Sequence, residues 1–311
     1  MNLEQAQADR NPEAPQPSIA PRDGATGAAA SAAALPATHA LMHPDADRFQ
    51  AWFEALEARH LSRLKFAEVR RGLQALSSLY VERRRRLGRG AALEGRGKRA
   101  AFALFYAPLH FLLVRAIARA LASAEPPPRM IADIGCGTGA AGAAWALEAG
   151  GGCRVTGLDR SGWAVEEARW NYRVLGVSGR AFRGDLANAA LPGKGGGLIA
   201  AFSVNELETE ARARLLQELF ASARRGARIL IIEPIAGRAV PWWASWSEAF
   251  QAAGGRDDRW RITVDLPNRL RLLDRAAGLD HRELTARSLW LPPCRSGGER
   301  FRTAGTRGRT S

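Results

Sequence analysis

The segment Asp133-Ile134-Gly135-Cys136-Gly137-Thr138-Gly139 constrains the fold of this chain more than any other. It follows a short apolar strand, Met130 to Ile134, and opens a helix, Ala140 to Ala149. Glycines placed there let the backbone turn sharply and approach a ligand with no Cβ in the way. Downstream, short apolar segments alternate with helical ones, the pattern of βαβ units and a parallel sheet. Strands are expected at Arg154 to Leu158, Gly179 to Arg183, Leu198 to Val204 and Arg228 to Glu233. The helices between them run over Gly162 to Leu175, where Ser161 is the N-cap, and over Glu208 to Ala223. Trp243 to Ala252 then reads as helix, Trp260 to Leu266 as an alternating strand, Asn268 to Ala277 as helix and Glu283 to Leu291 as a last strand. The fold class is therefore α/β, a mostly parallel Rossmann-like sheet with helices on both faces, preceded by a helical N-terminal region.

Four parts are expected along the 311 residues. Residues 1–45, rich in Ala, Pro and Gly, hold little that could form a core and read as a disordered leader. Residues 46–128 form a basic helical domain or lid. Phe49, Phe53 and Leu56 recur at helical spacing there, as do Phe66, Val69, Leu73, Leu76 and Tyr80 ahead of Arg83-Arg84-Arg85-Arg86. Gly88, Gly90, Gly95 and Gly97 break the chain before a strongly apolar helix, about Arg99 to Ala124, and Pro126-Pro127-Pro128 marks the boundary. Residues 129–292 are the α/β domain, and 293–311 a basic tail. The longest apolar run, Phe102 to Val114, is too short to span a bilayer, so no membrane association is expected. The acidic start, with Glu4, Asp9 and Glu13, argues against a signal or transit peptide, and a cytoplasmic location is expected. Cys136, Cys153 and Cys294 contain no close pair, which disfavours both a disulfide scaffold and a thiolate metal site.

The net charge is +14, carried by 42 arginines and three lysines. Codon usage explains arginine over lysine but not its placement. Residues 46–100 hold 14 basic and six acidic side chains, and residues 295–311 hold five and one. Such clustering is the electrostatic footprint of a polyanion, which in a cytoplasmic protein points to RNA.

Twenty residues beyond Gly139 stands Asp159, at the end of the second expected strand, followed by Arg160. An acid at that place accepts hydrogen bonds from ribose hydroxyls and suits an adenosine-containing cofactor. Gly135, Gly137 and Ala140 also fit a dinucleotide fingerprint, but Asp133 decides against a pyrophosphate. A carboxylate facing the loop repels phosphate and pairs with an ammonium or sulfonium cation. Asp185-Leu186, after the third strand, can accept from an adenine amino group.

On these residues the chain resembles the class I S-adenosylmethionine-dependent methyltransferases over roughly residues 129 to 291. Asp133 to Gly139 match the family's first motif, Asp159 its ribose-binding acid and Asp185-Leu186 its adenine-contact position. The resemblance implies a seven-stranded sheet with one antiparallel strand. It assigns S-adenosyl-L-methionine to Asp133, Gly135, Cys136, Gly137, Gly139, Asp159, Arg160, Asp185 and Leu186.

The fourth strand leads into Ser203-Val204-Asn205-Glu206-Leu207, which makes Asn205 and Glu206 the candidates for orienting the methyl acceptor. Methyl transfer from a sulfonium is an in-line displacement in which positioning supplies most of the rate. No Asn-Pro-Pro-aromatic motif follows the fourth strand and no cysteine lies there, which disfavours amino-group methylation of that type and the covalent route to pyrimidine carbon-5. Cys136 reads as a small filler, Cys294 as a free thiol, His110 as a satisfied core histidine, and Trp242, Trp243 and Trp246 as core. The stretch Lys98 to Tyr106 reads as a lid.

A narrower similarity rests on Asn205-Glu206-Leu207, Arg212, Leu215-Leu216 and Ile231-Ile232-Glu233-Pro234. It points to the methyltransferase-like proteins associated with the small ribosomal subunit. Those carry a cysteine cluster after the fifth strand, whereas this chain has no cysteine between Cys153 and Cys294, so no metal site carries over. The leading expectation is a methyltransferase presented to RNA, such as the small ribosomal subunit, by residues 46–100 and the tail. The alternatives are a small-molecule acceptor and a non-catalytic assembly factor with the same fold.

Overall fold

The computed structural model describes residues 44–82, 93–123, 125–185, 189–235 and 240–293. Arg83 to Arg86, Leu186, Cys294, the tail 295–311 and all but the last two residues of the expected leader lie outside them.

Strands β1 (Met130–Ile134), β2 (Arg154–Asp159), β3 (Gly179–Arg183), β4 (Gly196–Ala201), β5 (Arg228–Glu233), β6 (Arg256–Thr263) and β7 (Glu283–Leu291) form one sheet, ordered β3-β2-β1-β4-β5-β7-β6. Neighbours are parallel except at β7, which runs antiparallel to both β5 and β6. The helices are α1 (Pro44–Leu61), α2 (Phe66–Glu82), α3 (Arg96–Ala101), α4 (Ala107–Ala120), α5 (Ala140–Glu148), α6 (Gly162–Val174), α7 (Thr209–Arg224), α8 (Trp243–Ala252) and α9 (Asn268–Ala276).

The continuous apolar run of β5 is buried throughout, as a central parallel strand covered on both faces must be. Leu230 and Ile232 share a core with Ile199, Ile131 and the alanine-rich α5. Ile229 and Ile231 face the other way, with Leu198, Ala200 and the apolar sides of α7 and α8.

The N-terminal helices share the first of these cores. Phe49, Trp52, Phe53 and Leu56 of α1 and Val69, Leu73 and Leu76 of α2 are buried with residues of α4, α5 and α6. Each such side chain contributes about 1.5–3 kcal/mol of transfer free energy. Polar contacts fix the docking. Trp52 Nε1 donates to Asn171 Oδ1 at 2.7 Å, and Asn171 Nδ2 donates to the Thr138 carbonyl at 2.8 Å, so α1 is tied through α6 to the glycine segment. Arg59 and His60 both reach the buried Glu167 of α6, and these partners draw its carboxyl below the usual range against the opposing effect of burial.

Three expected elements differ in extent. The helix expected over Arg99 to Ala124 is α3, a π-helical turn over Phe102–Tyr106, and α4 ending at Ala120. Pro108 has no N–H to give the Leu104 carbonyl and its ring crowds that turn, and the chain accommodates it in a widened turn where Ala107 N donates to Phe102 O. The helical stretch Arg96–Ala120 is long and apolar enough to cross a membrane, yet most of it is buried inside the protein. The fourth strand stops at Ala201 rather than Val204, because Phe202 adopts a φ of +59° and Val204–Glu206 form a 3-10 turn. The sixth begins at Arg256 rather than Trp260; its charged first half pairs with β7 at the sheet edge, where alternating apolar residues are not needed.

Helices α2 and α3 touch backbone to backbone. A Cβ on Gly72 would stand 2.3 Å from the Gly97 carbonyl oxygen. Gly72→Ala is therefore expected to cost about 1–3 kcal/mol, read as a lowered thermal midpoint. An unchanged midpoint would mean that α2 does not seat on α3 in this way.

Candidate active site

The glycine segment between β1 and α5 wraps over the end of β2. Gly135, Gly137 and Gly139 have φ of +69°, +52° and +78°, the left-handed region that favours glycine. The amides of Gly135 and Cys136 both donate to the Leu158 carbonyl, at 2.8 and 3.0 Å. Gly137 N donates to Asp159 Oδ2 at 2.9 Å, and Gly139 N to the Cys136 carbonyl at 2.7 Å. A phosphate cradle needs amides free to face the anion. Here four amides of the loop already have protein acceptors, which agrees with a ligand that carries no phosphate.

Asp159 Oδ1 also accepts from Ser161 N at 2.8 Å. A carboxylate offers about four acceptor positions, so about two remain for hydroxyls of a ribose. Arg160 is exposed, and its carbonyl accepts from Arg183 Nε at 3.1 Å. Asp185 is exposed two residues beyond β3, while Leu186 lies outside the described residues.

Asp133 is 1% exposed and sits beneath the loop. Its Oδ2 accepts from Gly142 N in the first turn of α5 at 2.9 Å, and Oδ1 has no partner among the described residues. Burial pushes its carboxyl up to about 7, the Gly142 amide opposes this, and Asp159 adds to it. A charge on Asp133 would therefore be felt above the loop as a field and not as a contact at the surface. Cys136 fills the space over Gly157, where a Cβ would lie 2.8 Å from its Sγ. Burial, Asp133 and Asp159 raise its thiol well above the usual range, so it is no nucleophile.

The 3-10 turn after β4 separates the two acceptor candidates. Asn205 N donates to Glu233 Oε1 at 3.1 Å, and Asn205 Oδ1 accepts from Trp242 Nε1 at 3.3 Å, which directs it toward α8. Glu206 turns toward the end of β2. Its side chain is exposed, yet partial loss of hydration raises its carboxyl to about 7, with Asp159 raising it further and Arg160 lowering it. Trp242, Trp243 and Trp246 are buried between α8 and the sheet, as core residues are.

The lid expected over Lys98 to Tyr106 spans α3 and the π turn, and it crosses the carboxyl edge of the sheet. Phe102 lies in van der Waals reach of Gly137, and Arg99 lies 5.7 Å over the Trp163 ring. His110 differs from expectation. It is partly exposed, its ring stacks on Phe202 at 4.2 Å, and no described residue hydrogen-bonds it. Phe202 and Trp163 were not marked by the sequence; the four-residue spacing of Phe102, Tyr106 and His110 was its one signal for this aromatic face.

Residues 131–226 match a family model described as a methyltransferase domain. Among solved structures, the chain is similar to magnesium protoporphyrin IX methyltransferase from Synechocystis PCC 6803, with 17% identity over 58% of this chain and 78% of that one at a TM-score of 0.38. It is also similar to mitomycin 7-O-methyltransferase, with 14% identity over 81% and 76% at 0.44. A third is an S-adenosylmethionine-dependent methyltransferase from Aquifex aeolicus, with 17% identity over 55% and 86% at 0.38. No curated protein matches the chain.

Two outcomes are expected from calorimetric titration of S-adenosylmethionine. Asp159→Ala removes charge-assisted acceptors worth about 1.5–3 kcal/mol each and should weaken binding at least about tenfold; undiminished affinity would remove Asp159 from the site. The second concerns pH. Asp133 and Glu206 are held near 7, and a cation favours their ionised forms, so protons compete with the cofactor below that value. Affinity should rise about tenfold from pH 6 to pH 8 as one carboxyl ionises, and less in Asp133→Asn. A flat profile in the unsubstituted protein would contradict the coupling.

Proposed function

We propose that this chain, whose residues 131–226 match a methyltransferase domain, is a class I S-adenosylmethionine-dependent enzyme that methylates RNA in the cytoplasm, with the helical N-terminal region as part of its RNA-binding surface. The cofactor supplies a methyl group activated on a sulfonium. In this reading Asp159 holds its ribose and Asp185 its adenine, while Asp133 places negative potential beneath its cationic methionine end.

One observation carries the RNA assignment: at the carboxyl edge of the sheet, acidic groups lie near the glycine loop and basic ones stand around them. The charge of Asp159 lies close enough to raise the carboxyls of both Asp133 and Glu206, and three acids so placed disfavour phosphate at the cofactor edge. Around them stand Arg99, over the Trp163 ring, and the exposed Arg160 and Arg183 at the ends of β2 and β3. A polyanion is attracted to such basic groups and kept from the acids, which leaves room for one of its bases to enter. Along the sequence, residues 46–100 also carry more basic than acidic side chains, which supports the same reading.

Binding of a fluorescein-labelled single-stranded RNA tests this by polarisation across a salt series. The affinity should fall steeply as salt rises, and each of Arg160→Gln and Arg183→Gln should reduce the slope of log Kd against log salt by about 1. Absent or salt-independent binding would overturn the RNA assignment. Methylation of a free aromatic compound, unaffected by these substitutions, would put a small-molecule acceptor in its place.

A further inference from the structure

Phe102, Tyr106 and His110 follow one another at four-residue spacing along the lid, and all three are only partly buried. They make one aromatic wall. Phe102 and Tyr106 lie 5.8 Å apart between ring centroids, Phe102 meets Trp163 edge-on at 6.5 Å, and His110 stacks on Phe202 at 4.2 Å with 20° between the planes. Trp163 follows β2 and Phe202 follows β4, while Phe102 faces the loop after β1. The wall therefore runs along the carboxyl edge of the sheet, where ligands of open α/β folds bind.

Two features are unexplained if the wall is only packing. Phe202 is a bulky residue held at a φ of +59°, in a region that L side chains rarely adopt, and such strain concentrates at ligand sites. The second is His110. Its half-buried ring has no hydrogen-bond partner among the described residues, which leaves its nitrogens to solvent or to a ligand. Loss of water around the ring lowers its pKa to about 4, so across neutral pH the imidazole is uncharged and keeps one acceptor nitrogen. The charged groups near this edge are Arg99, Asp159, Arg160 and Glu206, with the Tyr106 hydroxyl on the same helix.

We propose that the wall of Phe102, Tyr106, His110 and Phe202 is the acceptor subsite, where one unpaired base of the RNA stacks on the rings and donates an N–H to His110. The proposal rests on the RNA reading above and names the part of the RNA that enters. Stacking is tolerant of base identity, whereas the hydrogen bond selects a ring edge that carries a donor.

The test uses the full chain with S-adenosylhomocysteine and two ten-nucleotide single-stranded RNAs, one carrying 2-aminopurine and the other purine, which lacks any N–H on the base. The 2-aminopurine emission should fall severalfold on binding. Phe202→Asn, which accepts the left-handed backbone but removes the ring, should restore the emission and weaken binding about tenfold. His110→Phe keeps a flat ring and should keep the quenching. It should abolish the preference, about fivefold or more in the unsubstituted protein, for 2-aminopurine RNA over purine RNA. Thermal melting reports folding of each variant, and Phe102→Leu serves if Phe202→Asn does not fold. Salt-dependent RNA binding with no quenching, or with quenching unmoved by these variants, overturns the subsite and leaves the RNA reading standing. If RNA does not bind but free 2-aminopurine riboside is quenched, and Phe202→Asn relieves it, the subsite stands and the RNA reading falls.

Discussion

The carboxylate of Asp159 is where three segments of this chain meet. It closes β2, caps the entry to α6 through the Ser161 amide, and holds the amide of Gly137 in the loop that follows β1. The Leu158 carbonyl beside it takes two more amides of that loop. The ligand edge of the sheet is thus assembled from bonds internal to the protein, and a ligand meets a surface already in shape. That saves the ordering cost a floppy loop would impose on binding. It also sets the sign of the site, because amides turned inward leave the carboxylates to dominate the local potential.

The helices ahead of the sheet are part of this assembly. Trp52, Asn171 and the Thr138 carbonyl form a two-bond relay from α1 to the glycine loop, and the loop residue reached is one position from Gly137. The Arg59 and His60 contacts to Glu167 lie on the same pair of helices. A buried carboxylate held between two basic groups is costly to separate, which fixes α1 on α6 in one register. Phe102 and Tyr106 pack against the same core, so their distance from the loop is set by packing as well as by the local helix.

Much of this was legible in the sequence. The five parallel strands, the glycine loop and the acid that closes β2 against it announce themselves through local pattern: apolar runs, glycines and an acid at a set distance. What escaped depends on partners remote in sequence. The direction of Asn205 is decided by Glu233 and Trp242, and that of Glu206 by the end of β2, although the two are adjacent. The backbone reversal at Phe202 has no residue signature, since neither glycine nor asparagine stands there. His110 reads as core in an apolar stretch, and only the tertiary arrangement shows it turned toward the cleft. The first half of β6 was hidden by Arg256, Asp257, Asp258 and Arg259, residues an edge strand tolerates.

The reversed direction of β7 decides where the chain leaves the sheet. Leu291 pairs with Ile229 at the start of β5, so β7 ends at the amino edge, whereas the glycine loop and the aromatic wall occupy the carboxyl edge. The two edges are separated by the length of a six-residue strand, about 20 Å. A dye or support joined at the exposed Pro292, just after β7, would thereby stand at the amino edge, behind the glycine loop and the wall. Immobilised in that orientation, the molecule would present its cleft outward, open to ligands from solution.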